Sequence, residues 1–258
     1  MTVRLKDVVG YLDDTLDIAS FRDYGPNGLQ VEGAQEVDVV VTGVSANMAL
    51  FENARELNAD LIVVHHGLIW GGGVERITGA MALRLRFLLE NGISLAAYHL
   101  PLDKHPRLGN NVGLCDALGL GADRGTFGPI RGHDLGVSGS WPSPVPRSDA
   151  LARISQLALG GAPPSFAFPF GPETVRTVGV CSGAASDLLE AASAAGCDLY
   201  LTGELAERSA GLAQELQITL VGAGHHRTEV FGAQRLVDEL VYKFPGLVAH
   251  FVDVPSPL

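Results

Sequence analysis

The sequence predicts an α/β protein made of two related halves, each with a mainly parallel, mixed sheet flanked by helices. Apolar runs of strand length alternate with helical segments, which is the pattern of β-α-β units. One such unit near the N-terminus also aligns without a gap with a second one when Asp60 is matched to Asp198. The 258 residues, 47% of them hydrophobic, suffice for one large or two small domains.

The elements of the first half follow from the spacing of apolar residues. Residues 4–18 carry leucine and valine at helical intervals, with acidic residues on the opposite face, so they predict a helix. Tyr24 to Gly28 has the composition of a turn. The elements predicted after it are strand Val37–Val41, helix Ala46–Leu57, strand Leu61–Val64, helix Met81–Glu90 and strand Ile93–Tyr98.

The second half repeats this order in a shorter form. A strand beginning at Val178 leads through a helix to another strand, which ends near Thr202. The proline-rich stretch Trp141–Pro146 predicts an exposed loop. We therefore expect residues 1–127 and 220–258 to form a metal-binding α/β domain, and residues 128–219 to form a second, similar α/β domain.

Composition and charge restrict the class of partner. The net charge of −11 and the pI of about 5.1 make nucleic acid an unlikely ligand, since binding to it depends on neutralising phosphates. The three cysteines are an odd number in apolar surroundings, which predicts reduced core residues and not a disulfide frame. No apolar run is long enough for a membrane span, so we expect a cytoplasmic protein without membrane contact.

Three clusters of histidine and carboxylate residues indicate a metal site. His65-His66 closes one apolar run, His99 and Asp103 follow another, and His225 and Glu229 lie near the C-terminus. Imidazole nitrogen and carboxylate oxygen are the mixed ligands of zinc, manganese and iron sites. Two of the clusters fall at the carboxyl ends of predicted strands, where ligands bind in open α/β sheets.

Each cluster taken alone also has an ordinary structural interpretation. An isolated His-His pair is more often one buried and one surface histidine. Asp103 follows Pro101, which predicts an extended or turning segment in which an aspartate caps or turns the chain. Glu229 could be an exposed acid, although its spacing of four from His225 would place both on one helix face. The coincidence of the three clusters at element ends favours the metal site.

The chain resembles the Nif-three-like dinuclear-metal-centre hexameric proteins, often labelled GTP cyclohydrolase type 2 homologues. The shared motifs run in the family's order over nearly the whole chain, and the length is similar to that of the short bacterial form. The motifs are Asn27-Gly28-Leu29-Gln30-Val31, His65-His66-Gly67, Tyr98 to Asp103 with Gly109-Asn110-Asn111, Leu201-Thr202-Gly203-Glu204 and Gly224 to Glu229.

The resemblance implies a Nif-three-like fold, a homohexamer arranged as a trimer of dimers, and two divalent ions per chain. The ions would be zinc, iron or manganese, and which histidine binds which ion stays open. Asp103 and Glu229 match carboxylates that lie between the ions, and His99 and Glu204 match positions beside the site. The implied metal ligands are His65, His66, Asp103, His225 and Glu229.

These features predict a dinuclear-metal-dependent hydrolase acting on a nucleotide-like or phosphoester substrate, and GTP cyclohydrolase is the named version of this hypothesis. His99 and Glu204 are the candidate catalytic acid–base residues. The alternative is a non-enzymatic, metal-binding hexameric assembly that senses metal or docks on a protein partner.

Overall fold

A computed structural model describes residues 2–74 and 76–257. The chain divides into two compact units. The first unit contains the residues up to Leu108 together with Gly232–Val254, and the second contains Gly109–Phe231 with the last residues of the chain. Residues 109–127 and 220–231, which the sequence analysis grouped with the first half, therefore belong to the second unit.

The described residues form strands and α-helices in mixed order along the chain. In chain order the strands are β1 (Val3–Arg4), β2 (Gly28–Val31), β3 (Glu36–Val37), β4 (Val39–Ser45), β5 (Leu61–His66), β6 (Ser94–Ala97), β7 (Gly125–Ile130), β8 (His133–Pro146), β9 (Phe166–Pro169), β10 (Thr174–Cys181), β11 (Leu199–Thr202), β12 (Thr219–Gly222) and β13 (Val248–Phe251). The α-helices are α1 (Leu5–Thr15), α2 (Met48–Glu56), α3 (Gly79–Glu90), α4 (Leu100–Lys104), α5 (Asn110–Ala117), α6 (Arg147–Arg153), α7 (Leu189–Ala194), α8 (Ser209–Glu215), α9 (His225–Thr228) and α10 (Val230–Lys243).

The first unit is built on a five-stranded sheet in the order β13-β4-β5-β6-β2. β13, β4, β5 and β6 run parallel, and β2 pairs antiparallel with β6. Side chains alternate between two apolar cores: Val40, Leu61 and Val63 pack in one, whereas Val41 and Ile62 pack in the other. A parallel sheet covered on both faces requires such continuous apolar strands, which is why the sequence identified these strands.

The second unit contains a six-stranded sheet in the order β7-β8-β10-β11-β12-β9. Only its centre is parallel, since β10, β11 and β12 run in one direction while β7, β8 and β9 pair antiparallel. The predicted α/β class is confirmed, with mixed sheets in both units. The second sheet is less parallel than predicted because a hairpin and an antiparallel edge strand extend it.

The expectation of a loop at Trp141–Pro146 is wrong, although four of these six residues are exposed as expected. These residues form the last part of β8, and Trp141 is buried with its indole Nε1–H donating to the Leu118 carbonyl at 2.8 Å. β7 pairs with β8 only as far as Ser138, so the prolines lie where one side of the strand has no β partner. Proline lacks a backbone N–H and is tolerated at such a position.

In each unit an aspartate at the equivalent position joins two strands of the central β-α-β unit. Asp60 accepts hydrogen bonds from the backbone N–H groups of Asp38 and Val39 at 2.8 and 3.0 Å. Asp198 accepts from those of Arg176 and Thr177 at 2.8 and 2.9 Å. The gapless alignment of Asp60 with Asp198 thus corresponds to an identical structural role, which supports an internal repeat.

The cysteines lie in the cores, and the helices are too short or too polar to span a membrane in the part of the chain that the structure describes. Cys115, Cys181 and Cys197 are all buried, as predicted for core residues. Burial raises the pKa of the Cys197 thiol to about 12. Within residues 2–74 and 76–257, no helix has both the length and the apolar character needed to cross a membrane.

The first unit contains a nearly buried carboxylate on α10. Glu239 accepts hydrogen bonds from the two terminal guanidinium nitrogens of Arg107, at 2.6 and 3.0 Å, and from the hydroxyl of Tyr11, at 2.5 Å. The hydrogen bonds from Arg107 lower the pKa of Glu239, outweighing the opposing effect of burial. This network links α1 and the segment that follows α4 to α10 within the first unit.

We predict that Glu239→Gln lowers the free energy of unfolding by about 1–2 kcal/mol at pH 7. Because the pKa of Glu239 is lower in the folded state, its contribution exists above its ordinary pKa of 4.5 and disappears as the pH falls through the folded value. Urea unfolding should therefore show a gap between wild type and variant at pH 7 that narrows as the pH is lowered below 4.5, with Glu90→Gln on α3 as the control. A gap that stays equal as the pH is lowered would contradict the assignment.

Candidate metal-binding groups in the two units

The predicted ligands of the first unit lie at one edge of its sheet. His65 and His66 are the last residues of β5, and His99 follows the neighbouring parallel strand β6. The carboxyl ends of adjacent parallel strands meet at the same edge, which brings these side chains together. Asp103 lies on α4, the short helix that begins directly after His99.

Three imidazole rings form a compact cluster at this edge. The ring centroids of His65 and His66 are 4.6 Å apart, those of His65 and His99 are 4.9 Å apart, and those of His66 and His99 are 5.5 Å apart. One nitrogen from each ring lies within 4.8 Å of one nitrogen from each of the others. His65 is fully buried, while His66 and His99 are partly exposed. Both members of the His-His pair therefore serve one cluster.

The Nδ1 atoms of the two consecutive histidines are each held by a protein oxygen. His65 Nδ1 lies 3.0 Å from the Tyr98 carbonyl, which can only accept, so Nδ1 donates. In the neutral ring the lone pair is then on Nε2. His66 Nδ1 lies 3.2 Å from the Ser45 hydroxyl. Histidines that bind metal commonly have their other ring nitrogen fixed by such an oxygen.

Asp103 completes the predicted ligands of the first unit. Its carboxylate is mostly buried, and its Oδ1 atom lies 3.6 Å from His65 Nε2. The expectation that its segment is extended or turning is wrong, because Leu100–Lys104 is helical. Pro101 lies in the first turn, where a missing N–H costs no helical hydrogen bond.

Asp23 is a residue of this group that the sequence analysis did not single out. Its carboxylate is buried and accepts from His99 Nδ1 at 2.7 Å, from the Leu100 N–H at 2.8 Å and from the Asn27 amide at 3.0 Å. Burial opposes ionisation, but the hydrogen bond and charge of His99, with the Asn27 amide, lower the pKa of Asp23 to about 2. The turn composition around Asp23 was visible, but its partner is 76 residues away.

The second unit carries the other predicted residues in an equivalent place. Glu204 follows strand β11, and His225 and Glu229 follow its parallel neighbour β12. His225 begins the single-turn helix α9, which ends before Glu229. Glu229 is only 2% exposed, so its interpretation as an exposed acid is wrong.

His225 lies between two carboxylates. Its Nδ1 atom is 2.6 Å from Glu204 Oε1, and its Nε2 atom is 3.1 Å from Glu229 Oε1. Burial lowers the pKa of His225, but the hydrogen bonds and charges of Glu229 and Glu204 outweigh it and raise the pKa to about 9. Glu204 thus faces the Nδ1 side of the ring and Glu229 faces the Nε2 side.

A glycine after β10 makes room for this group. Gly183 adopts a positive φ of 65°, and its N–H donates to the Thr228 hydroxyl at 3.0 Å. A Cβ at Gly183 would lie only 2.4 Å from Glu229 Oε1 and 3.3 Å from His225 Nε2. The backbone therefore approaches both side chains as closely as only glycine permits.

The two groups share one pattern. In each unit the third parallel strand is followed by a histidine and, four residues later, by a carboxylate: His99 with Asp103, and His225 with Glu229. In each, a carboxylate from elsewhere in the same unit holds the histidine Nδ1. The internal repeat thus extends from the strands to the candidate ligands.

Each unit therefore brings together its own share of the predicted residues. His65, His66, His99 and Asp103 meet in the first unit, and Glu204, His225 and Glu229 meet in the second. His105, by contrast, has a structural role, since its Nδ1 atom accepts from the Leu108 N–H at 2.9 Å.

The donor atoms of both groups suit a divalent transition-metal ion. The first unit offers imidazole nitrogens with a carboxylate beside them, and the second offers one imidazole and one carboxylate about 3 Å apart. Because Nδ1 is held by a protein oxygen, Nε2 is the nitrogen that could bind an ion in His65 and His225. Zinc, iron and manganese all accept this mixture of nitrogen and oxygen.

Comparison with known sequences gives matches over the full length. Residues 3–257 match the family described as Duf34/NIF3 (NGG1p interacting factor 3). A protein named GTP cyclohydrolase 1 type 2 homolog from Pseudomonas aeruginosa is 41% identical over 258 residues, which cover 100% of both chains. One of the same name from Pyrococcus horikoshii is 38% identical and covers 98% of both.

Solved structures give a matching fold. A structural-genomics protein titled ybgI, of unknown function, has a TM-score of 0.90 at 36% identity and covers 99% of this chain and 100% of its own. TTHA1606 from Thermus thermophilus has a TM-score of 0.88 at 35% identity, with the same coverage. Reduced HcgD from Methanocaldococcus jannaschii shares the fold at 22% identity and a TM-score of 0.81, covering 98% of this chain and 99% of its own.

We predict that Gly183→Ala lowers the free energy of unfolding by about 1–2 kcal/mol or more. An alanine is strained at this positive φ, and its Cβ would displace the Glu229 carboxylate. Gly211→Ala is the matched control, since Gly211 lies exposed on α8 with open space around it. Thermal unfolding should show a lower Tm for Gly183→Ala and an equal or higher Tm for Gly211→Ala. Equal Tm values for Gly183→Ala and wild type would contradict the close packing.

Proposed function

We propose a metal-dependent hydrolytic function for this chain, which belongs to the Duf34/NIF3 family. The substrate is nucleotide-like or a phosphoester. The observation that supports the proposal most is the imidazole cluster of His65, His66 and His99, with one nitrogen of each ring within 4.8 Å of the others. Packing alone gives no reason to gather three imidazoles at the end of two parallel strands.

In this proposal two divalent ions are held by His65, His66, Asp103, His225 and Glu229. Zinc, iron and manganese are the candidate ions. Such ions supply Lewis acidity toward a substrate oxygen and lower the pKa of water. The two acidic ligands reduce the net charge that two such ions would bring into a buried site.

The remaining residues orient the site and move protons. Asp23 holds Nδ1 of His99, so His99 presents Nε2, the atom at which it would accept or donate a proton. Glu204 holds Nδ1 of His225 and so orients that ring. Within the proposal we therefore assign proton transfer to His99 and positioning to Glu204.

The names of the relatives suggest a more specific substrate and an alternative. "GTP cyclohydrolase 1 type 2 homolog" suggests a purine nucleotide, whose ring opening needs water and a proton shuttle. "NGG1p interacting factor 3" names a protein interaction and supports the alternative of a non-enzymatic metal-binding assembly that senses metal or docks on a partner. For either function we propose a homohexamer, a trimer of dimers.

The first test measures metal content. We predict that protein reconstituted with zinc, manganese or iron approaches two ions per chain, and that Glu229→Ala lowers the ion occupancy because this carboxylate would be one of the ligands. Elemental analysis after gel filtration measures the occupancy, and Glu90→Ala on α3 is the control. Full two-ion occupancy in Glu229→Ala would argue against Glu229 as a ligand.

The second test measures turnover on nucleotides and phosphoesters. We predict that Asp103→Ala abolishes hydrolysis and that Glu204→Gln lowers kcat about 10- to 100-fold, the usual effect of altering a residue that orients a metal ligand. Both variants should keep the wild-type mass, which the proposed hexamer puts near six times 27.1 kDa. If no substrate is hydrolysed and a partner binds regardless of metal, the assembly function is favoured instead.

A further inference from the structure

Two partly exposed aromatic rings border the imidazole cluster of the first unit. Trp70 is 39% exposed, and its ring centroid lies 5.1 Å from that of His99 and 5.8 Å from that of His66. Tyr24 is 45% exposed, with its ring centroid 6.0 Å from that of His99. Neither ring is among the proposed metal ligands, so the ligand role does not explain their place.

The indole of Trp70 is held in a fixed orientation. Its Nε1–H donates to the Gly67 carbonyl at 2.9 Å, and its ring is nearly perpendicular to that of His99, at 82°. The next residue, Gly71, donates its N–H to the Tyr24 carbonyl at 2.6 Å. The loop that carries Trp70 is thereby joined to the loop that carries Tyr24.

The side chain of Gln30, on β2, forms hydrogen bonds with both loops. Its Oε1 atom accepts from the N–H groups of Leu68 and Ile69 at 2.8 and 3.1 Å, and its Nε2 atom donates to the Pro26 carbonyl at 2.8 Å. One side chain thus bonds to both loops, and its amide satisfies three backbone groups.

Two glycines allow this close approach. A Cβ at Gly67 would lie 2.4 Å from Gln30 Oε1, and a Cβ at Gly25 would lie 2.5 Å from the Ile69 carbonyl oxygen. The backbone of each loop contacts its neighbour so closely at these two positions that any residue other than glycine would clash. The aromatic rings above them are therefore held in place before any ligand arrives, which reduces the entropy lost on binding.

A rigid, exposed indole beside a polar cluster has the properties of a stacking surface. Leaving apolar ring area in water is unfavourable by about 25 cal/mol per Å². Covering the ring with a flat π-system recovers this free energy and adds stacking that tolerates any nucleobase. An aliphatic or purely sugar-phosphate ligand would gain less from the same ring.

We propose that Trp70 is the platform on which the planar ring of a nucleobase-like ligand stacks, with Tyr24 bordering the same position. This inference rests on the proposed function, because it names the substrate class that the imidazole cluster would receive. A base on the indole leaves its attached groups beside His66 and His99. The aromatic platform binds the base, whereas the histidine cluster faces the group to be transformed.

The test measures binding, so it does not depend on turnover. Isothermal titration with guanosine 5′-monophosphate should give a Kd that Trp70→Ala raises about 5- to 150-fold, the range found for one stacked base. Trp70→Phe should restore part of the affinity, since it keeps a smaller ring. Leu83→Ala, which removes an exposed side chain on α3, should bind like wild type. Binding of ribose 5-phosphate, which has no base, should be unaffected by Trp70→Ala.

Fluorescence gives a second readout because the chain has two tryptophans. Trp141 is buried in the second unit, so quenching by the nucleotide should come from Trp70 and disappear in Trp70→Phe.

An unchanged Kd in Trp70→Ala, equal loss of ribose 5-phosphate binding, or no nucleotide binding by wild type would overturn the proposal. Trp70-dependent binding without any hydrolysis would instead refute the hydrolase alone. Hydrolysis of simple phosphoesters without such binding would refute the platform alone.

Discussion

The organisation of both candidate ligand groups depends on how the histidine Nδ1 atoms are held. A backbone carbonyl holds His65, and a carboxylate holds each of His99 and His225. An imidazole anchored in this way has one orientation and one ligating or proton-carrying atom, Nε2. Without the anchors the rings could rotate about χ2, and their proximity at the strand ends would give no defined site. The parallel strands bring the rings together, and these oxygens determine what the rings can do.

The repeat between the units explains why the same arrangement occurs twice. Asp60 and Asp198 make the same pair of backbone hydrogen bonds at the start of their β-α-β units. Each unit then ends its third parallel strand in a histidine followed four residues later by a carboxylate. The anchors differ in origin, however: Asp23 precedes the central strands of its unit, whereas Glu204 follows the strand next to that of His225. The strands and their ligands thus correspond between the units, while the residues that orient the histidines come from different places.

The sequence identified the strands of the first unit and the ligand candidates because both are local signals. Continuous apolar runs mark strands buried on two faces, and the histidine clusters are consecutive or four residues apart. The role of Asp23 is not evident from the sequence, because its contact with His99 depends on the pairing of β2 with β6, which brings a distant loop to the strand ends. The strand at Trp141–Pro146 is not evident from the sequence, because its prolines suggest a loop. A strand tolerates these prolines because one of its sides has no β partner beyond Ser138. The short helix at Asp103 is not evident from the sequence because Pro101 suggests a break in a helix, although the first turn of a helix accepts proline.

In the proposed hydrolase, the residues that would recognise the substrate differ from those that would carry out the chemistry. Trp70 and Tyr24 border the imidazoles but are not among the candidate metal ligands. Substitutions in their loops would therefore change the bound substrate while the candidate metal ligands stay the same. The central claim is that metal binds through Nε2 of the anchored histidines. Its most direct test is a crystal structure of the reconstituted protein with anomalous maps recorded at the edge of the added metal. We expect ion peaks about 2.0–2.1 Å from Nε2 of His65 and of His225, the usual length of a zinc–imidazole bond. Ions found only at surface residues, with both Nε2 atoms unliganded, would contradict the account.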